Sequence, residues 1–417
     1  MENSASDKDS GEPLKEQEKV EVTADKLTEM DVYRIFTQER AIPLSQKVIK
    51  RIREKMTIDN AEIYADIIKA NYVSEILTEQ AVEDAIKNKQ KERQKIEVNP
   101  VRYKPDGIAR YKVLKEGVVF PKTSIVTLKP DTPSMIFGMV HISETGDVEI
   151  EDEDDSVLVC EIKESDYFVG RGICAGFEGK LTEKGFSVEK IHLPERRSIN
   201  SSSVPGKSNF IMISQFVSTA DNIKKICDVI KVYAEYEIEL AAVIIMLHET
   251  EILANMQPRI EASLAKVHKN IEFILIPGVG SSYFYPRGEC TTYKNLTVST
   301  NPAEIRIENE AFLVGSFDLI DGIREESVVK GSFRKELGSA LLTQASFNPF
   351  IPYTDLSYTE EFRGLVIGDS YDCFTHKQQD QVFAICGDFE KSGGQFLFYN
   401  GAEMNFEICS VSDLATE

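Results

Sequence analysis

With 417 residues, 42% of them apolar, the chain has material for two or three domains with real cores. No apolar run is long enough to cross a bilayer, and the polar, acidic first residues match neither a secretory signal nor a transit peptide. A formal net charge of −21 repels phosphate backbones at long range, which argues against strong autonomous binding of nucleic acid; a protein working beside DNA can carry it if a partner holds the DNA. The seven cysteines are scattered, odd in number and without a Cys-x-x-Cys pair. That pattern excludes the common zinc and thioredoxin-type motifs and fits a reducing compartment, the cytosol or nucleus.

Taken in chain order, residues 1–27 are rich in Glu, Lys, Ser and Asp and read as a disordered acidic tail. Thr28 with Asp31 has the form of a helix start. Val32, Ile35 and Phe36, then Val48, Ile49 and Ile52, then Ile63, Ile67 and Ile68, and on through Val82 and Ile86 keep a helical period. Residues 28–92 are therefore expected to form a small domain of four or five short helices. Its basic end, Lys87 to Lys95, suits either a solvated helix terminus, the reading preferred here, or contact with DNA or an acidic partner. Residues 93–131, with Pro100, Pro105, Pro121 and Pro130, are expected to be an extended linker packing on the domain that follows the barrel.

Over residues 132–194 short alternating runs broken by Gly146, Gly170, Gly172, Gly176 and Gly179 point to a small β-barrel. Its acidic stretch from Asp147 to Asp155 lacks the glycine and spacing of a calcium loop and reads as a solvated hairpin. Residues 195–207 form a linker. Gly206-Lys207-Ser208 lacks the first glycine of a phosphate-binding loop, because position 201 is serine. Beyond it, Phe210–Phe216, Asp221–Tyr233, Leu240–Leu247, Ile252–His268 and Ile271–Ile276 alternate strand and helix, which predicts a parallel sheet. The remainder reads as mostly β: 304–307, 312–317, 365–368, 382–386, 395–399 and 406–411. A parallel half followed by an antiparallel half predicts a two-sheet α/β sandwich over residues 208–417.

Ligands of an open α/β sheet gather at the carboxyl ends of its strands. A two-metal phosphoesterase needs Asp-x-His, Gly-Asp and Gly-Asn-His there, since paired metals require bridging carboxylates and imidazoles. The three strands instead end in Ser214-Gln215-Phe216-Val217, Leu247-His248-Glu249 and Pro277-Gly278-Val279-Gly280. His248, Glu249, Asp369 and His376 are the residues from which a different metal site could be built, but five histidines are few for a metalloenzyme, and separate packing roles are preferred. Ser339 and Ser346 show no His–Asp partners in any nucleophile motif.

Several segments resemble the B subunits of the replicative DNA polymerases, most closely the epsilon type. They are Gly364-Leu365-Val366-Ile367-Gly368-Asp369-Ser370-Tyr371-Asp372-Cys373-Phe374, then Gly387-Asp388-Phe389 with Gly394-Gln395-Phe396. Thr300-Asn301-Pro302-Ala303 and Leu342-Thr343-Gln344-Ala345-Ser346-Phe347-Asn348-Pro349 are similar to two further motifs, and Phe137-Gly138-Met139 and Ile150-Glu151-Asp152 to strands of the family's barrel. Cys373 departs from the family's proline, and the loops are compact. The resemblance covers the chain from about residue 28 and rests on the order of the motifs.

The resemblance implies an α+β multidomain protein: an N-terminal helical domain, an OB-type barrel and an inactivated, calcineurin-like phosphoesterase sandwich. It implies that the metal-ligand positions are held by Gln215, Val217, His248, Val279, Gly280 and Ser346, so that no metal, cofactor or catalytic residue is expected. It further implies a nuclear accessory subunit that binds the C-terminal region of a catalytic subunit. The helical domain would reach the GINS complex of the replicative helicase, with DNA contacted at most indirectly and no membrane partner. The alpha or delta B subunits, and a residual metal-dependent phosphoesterase, are the alternative readings; the helical domain argues against delta, and Tyr371-Asp372-x-Phe374 favours epsilon over alpha.

Overall fold

The computed structural model describes residues 27–56, 61–62, 64–65, 68–69, 77–83, 96–101, 107–195, 208–251, 253–278, 290–344, 346 and 362–414. Two compact units divide the chain, residues 1–92 and 93–417. The tail, the basic run 87–95 and the linker 196–207 lie outside the described residues.

In the first unit, Thr28 and Asp31 close a reciprocal capping box on the helix Glu29–Val32, which runs on into a wider π turn, Tyr33–Gln38. Ser45 caps the helix Gln46–Lys55 by accepting the Val48 N–H. Val32, Ile35 and Phe36 meet Val48 and Ile52 in a core that also takes in Ala65, Ile68, Leu77 and Val82. Further helical residues occur at 61–62, 64–65, 68–69 and 79–83.

The second unit opens with β1 (Ile96–Pro100), which pairs antiparallel with a sandwich strand described below. Extended structure does not continue from there, as the sequence reading expected: Gly107–Glu116 is a helix. Its buried side carries Arg110 and Leu114, and Val118 is buried just beyond its end. The charged first member hides the period from a search for apolar residues. Arg110 is buried because its Nη2 donates to the Gly172 carbonyl, 2.8 Å away.

The barrel strands are β2 (Pro133–Ile142), β3 (Val148–Glu151), β4 (Ser156–Ile162), β6 (Cys174–Thr182) and β7 (Gly185–His192), while β5 (Tyr167–Gly170) stands apart. They close in the order β2-β3-β4-β7-β6, with only β4 and β7 parallel. Ile136, Val140, Ile150, Phe177, Phe186 and Val188 fill the interior. Gly179 sits at a bulge, where a Cβ would lie 2.1 Å from the Ser187 carbonyl. The acidic hairpin is not simply solvated. Asp152 accepts the Ile125, Asp154 and Asp155 N–H groups, which docks the hairpin on the 3-10 turn Ile125–Thr127.

The sandwich strands follow: β8 (Asn209–Phe216), β9 (Leu240–Leu247), β10 (Glu272–Ile276), β11 (Thr291–Tyr293), β12 (Leu296–Val298), β13 (Ala303–Ile307) and β14 (Glu310–Ser316). After β15 (Ser327–Lys330) come β16 (Gly364–Gly368), β17 (Phe374–Gln378), β18 (Gln381–Cys386), β19 (Gln395–Asn400) and β20 (Asn405–Ser410). One sheet runs β11-β12-β10-β9-β8-β19-β20 and the other β1-β13-β14-β16-β18-β17. Alternation explains why β9 is apolar throughout. Ala242, Ile244 and Met246 face the second sheet, whereas Val243, Ile245 and Leu247 face the helices Ala220–Glu235 and Leu253–Ile260.

The latter half is less purely β than expected. Helices Ile320–Glu325 and Phe333–Thr343 cover the outer face of the second sheet. The second carries its buried stripe on Leu337, Ala340 and Leu341, but Gly338 and Ser339 at its centre are weak helix formers and mask it in the sequence. Barrel and sandwich are joined by the antiparallel pair β5·β15 and by Gln344, whose side-chain amide accepts the Cys174 N–H at 2.8 Å and donates to its carbonyl at 3.0 Å.

Candidate functional site

The parallel strands of both sheets bring their carboxyl ends to one edge of the sandwich. The Ser316 hydroxyl donates to the Leu247 carbonyl, and a lone bridge pairs Ser214 with Asp388, so β14 and β18 meet β9 and β8 there. Asn301 holds Ser316 from the side, donating from Nδ2 to its carbonyl and accepting its N–H at Oδ1 (2.8 and 3.0 Å). Between these ends lies a cleft of about 220 Å³ lined by Gln215, His248, Glu249, Ser316, Asp318, Ser370, Asp388 and Lys391.

Of the six positions singled out in the sequence, the cleft brings together Gln215 and His248. Gln215, one residue before the end of β8, is in the left-handed region, φ 50°, where the ladder to β9 is broken by a bulge. Val217 turns away: its carbonyl accepts the Asn222 side-chain amide and the Thr219 N–H at the start of the next helix. Ser346 is buried and forms no part of the cleft wall. Val279 and Gly280 lie outside the described residues.

Five wall residues were not anticipated. Ser316 ends β14, and Asp318, Ser370, Asp388 and Lys391 follow β14, β16 and β18, whose parallel run in the second sheet was not recognised in the sequence. The usable signal is the repeated apolar-strand, Gly-Asp pattern at Gly368-Asp369 and Gly387-Asp388.

The carboxylates of that pattern are engaged within the fold. Asp388 accepts the Glu390 and Lys391 N–H groups through Oδ1 and pairs with the Lys391 ammonium through Oδ2, at 3.2 Å. Asp369 accepts the Leu319, Ile320 and Tyr371 N–H groups; burial pushes its carboxyl upward against those bonds. His248 is turned by Thr250, whose N–H donates to Nδ1. His376 lies elsewhere, on β17, and burial pushes its imidazole below the ordinary range. Its Nε2 is 3.0 Å from the Ser339 hydroxyl, so Ser339 does have a histidine partner. Sequence distance concealed that pair.

A two-metal centre needs several anionic or imidazole ligands converging on each ion. Among the described residues no three His, Cys, Asp or Glu side chains are so grouped. At the ends of β8 and β9 the wall presents a neutral amide, one imidazole and the Glu249 carboxylate. Among the described residues this donor set does not fit a bridged metal pair.

Searches with family models and against curated proteins return no match. Solved structures do match. One is an archaeal phosphodiesterase, 10% identical, covering 48% of this chain and 99% of its own, with a TM-score of 0.29. Another, a Thermotoga maritima protein determined by NMR in solution, is 15% identical and covers 49% of this chain and 99% of its own, with a TM-score of 0.27.

Proposed function

We propose that the chain is a non-catalytic platform built on a phosphoesterase-type sandwich, with a strand-end cleft that carries no metal chemistry. The observation that carries this reading is the wall of that cleft. Gln215 and His248 stand where a metal centre needs an acid-rich ligand set, Asp388 is committed to backbone N–H groups and Lys391, and Glu249 and Asp318 do not converge with a third ligand among the described residues. A sheet domain freed of metal duties keeps a rigid surface on which partners can dock.

Within that class the reading is the B subunit of DNA polymerase epsilon, a nuclear accessory subunit of chromosomal replication. The sequence motifs support it, and their side chains have fold-building roles that motif-level retention would require: Asn301 clamps Ser316, and Gln344 clamps Cys174. The barrel supports an OB-type reading, because its fifth strand returns between the third and fourth and lies parallel to the third. On this account barrel and sandwich grip the C-terminal region of the catalytic subunit. The N-terminal helical unit tethers the polymerase to the helicase through the GINS complex, a linkage that raises the local concentration of one enzyme near the other.

Co-expression with the catalytic subunits of polymerases alpha, delta and epsilon tests the assignment. A stable complex with the epsilon subunit alone is expected. Retention by the alpha or delta subunit instead, or by none, would refute it.

A further inference from the structure

The strand-end cleft has an unfilled set of acceptors. Gln215 is 93% buried, at 7% exposure, yet among the described residues its amide has no hydrogen-bond partner. The amide opens onto the cleft, where a ligand's polar group can reach it. Beside it, Glu249 makes neither an ion pair nor a hydrogen bond with any described residue, and Asp318 accepts only from the N–H and hydroxyl of Ser370. Among the described residues of the wall the ammonium is that of Lys391, and Asp388 holds it. Among the described residues the cleft therefore offers one amide and two carboxylates without a cation.

We infer that this cleft is a socket for a guanidinium group, the side chain of an arginine presented by a bound polypeptide. A guanidinium carries several in-plane N–H donors at fixed angles, and separated acceptors on a cleft wall match such a fork better than the point charge of an ammonium. A divalent ion is disfavoured by the absence of a converging ligand set among the described residues and by the neighbouring Lys391 ammonium. An anion is disfavoured by the uncompensated carboxylates. Free arginine brings its own carboxylate toward Glu249 and Asp318, both exposed at the cleft, whereas arginine within a chain does not. The inference requires only that the cleft lack a metal pair; it does not rest on the polymerase assignment.

The test uses the full chain and the capped tripeptide acetyl-Gly-Arg-Gly-amide, with binding followed by saturation-transfer NMR at low salt. Saturable binding is expected. The citrulline counterpart, which keeps the shape and loses the charge, should bind at least about tenfold more weakly. The double variant Glu249→Gln with Asp318→Asn should weaken the arginine peptide by a similar factor while keeping the parent's thermal midpoint, since Asn retains an acceptor for Ser370. Equal binding of the citrulline peptide, an unchanged affinity in the double variant, or tighter binding of free arginine than of the peptide would overturn the inference. Competitive displacement of the peptide by manganese would count against both this inference and the metal-free reading; failure of the peptide alone would leave that reading intact.

Discussion

Gln344 and Asn301 show how much of this fold is held by single amides. Each side chain satisfies both the N–H and the carbonyl of one buried residue, as a neighbouring strand would. Truncating Gln344 to alanine leaves the Cys174 backbone unpaired at the barrel–sandwich junction. A loss of about 2–4 kcal/mol in urea unfolding is expected; a change below about 0.5 kcal/mol would show that the junction does not depend on it. Asp152 gives a pH-dependent counterpart. Burial raises its pKa, but the Ile125, Asp154 and Asp155 N–H groups and the Ser124 hydroxyl outweigh that and hold it below the usual aspartate range. Its folded pKa is depressed, so its stabilisation is complete above the unfolded value, about 4, and is lost as pH falls through the lower folded value. Asp152→Asn should therefore be less stable at neutral pH and show a smaller decline on acidification. Parallel pH profiles for parent and variant would contradict this. None of these roles was legible from residue type, because polar partners at such sequence distances leave no periodic trace.

Elements were legible where one apolar period governed them. β8, β9 and β10 and the helix Ala220–Glu235 lie within a residue or two of their expected bounds, since each buries its pattern against a single continuous core. Gly107–Glu116 and Phe333–Thr343 were missed because a buried arginine interrupts one stripe and a Gly-Ser pair the other. Gly338 also shows why that pair is there: a Cβ at this position would lie 2.7 Å from the Cβ of His376 and 2.8 Å from its ring. Only glycine lets the helix settle on β17 and leaves Ser339 within reach of His376. Gly338→Ala should cost about 1–3 kcal/mol by overpacking, and the cost should shrink in a His376→Gly background, which removes both the Cβ and the ring. Equal costs in both backgrounds, read from denaturation midpoints, would mean that the contact is not what demands glycine.

For the second unit, the two stacked sheets and the helices over the first could be anticipated from the order of strands and helices, whereas the helices over the second sheet could not. The cleft could be anticipated only in part. Reading the three strand ends of one sheet located Gln215 and His248, but the second sheet supplies Ser316, Asp318, Ser370, Asp388 and Lys391. Which strand ends face one another is a property of the sandwich, fixed by how two sheets stack rather than by any local pattern. That opposition turns a row of unremarkable polar residues into one wall, and the proposed platform role rests on that wall's chemistry. The most direct test is hydrolysis of a simple phosphodiester by the purified full chain with manganese, with and without chelator. The account expects no turnover above buffer and no difference on chelation; robust hydrolysis abolished by the chelator would contradict it.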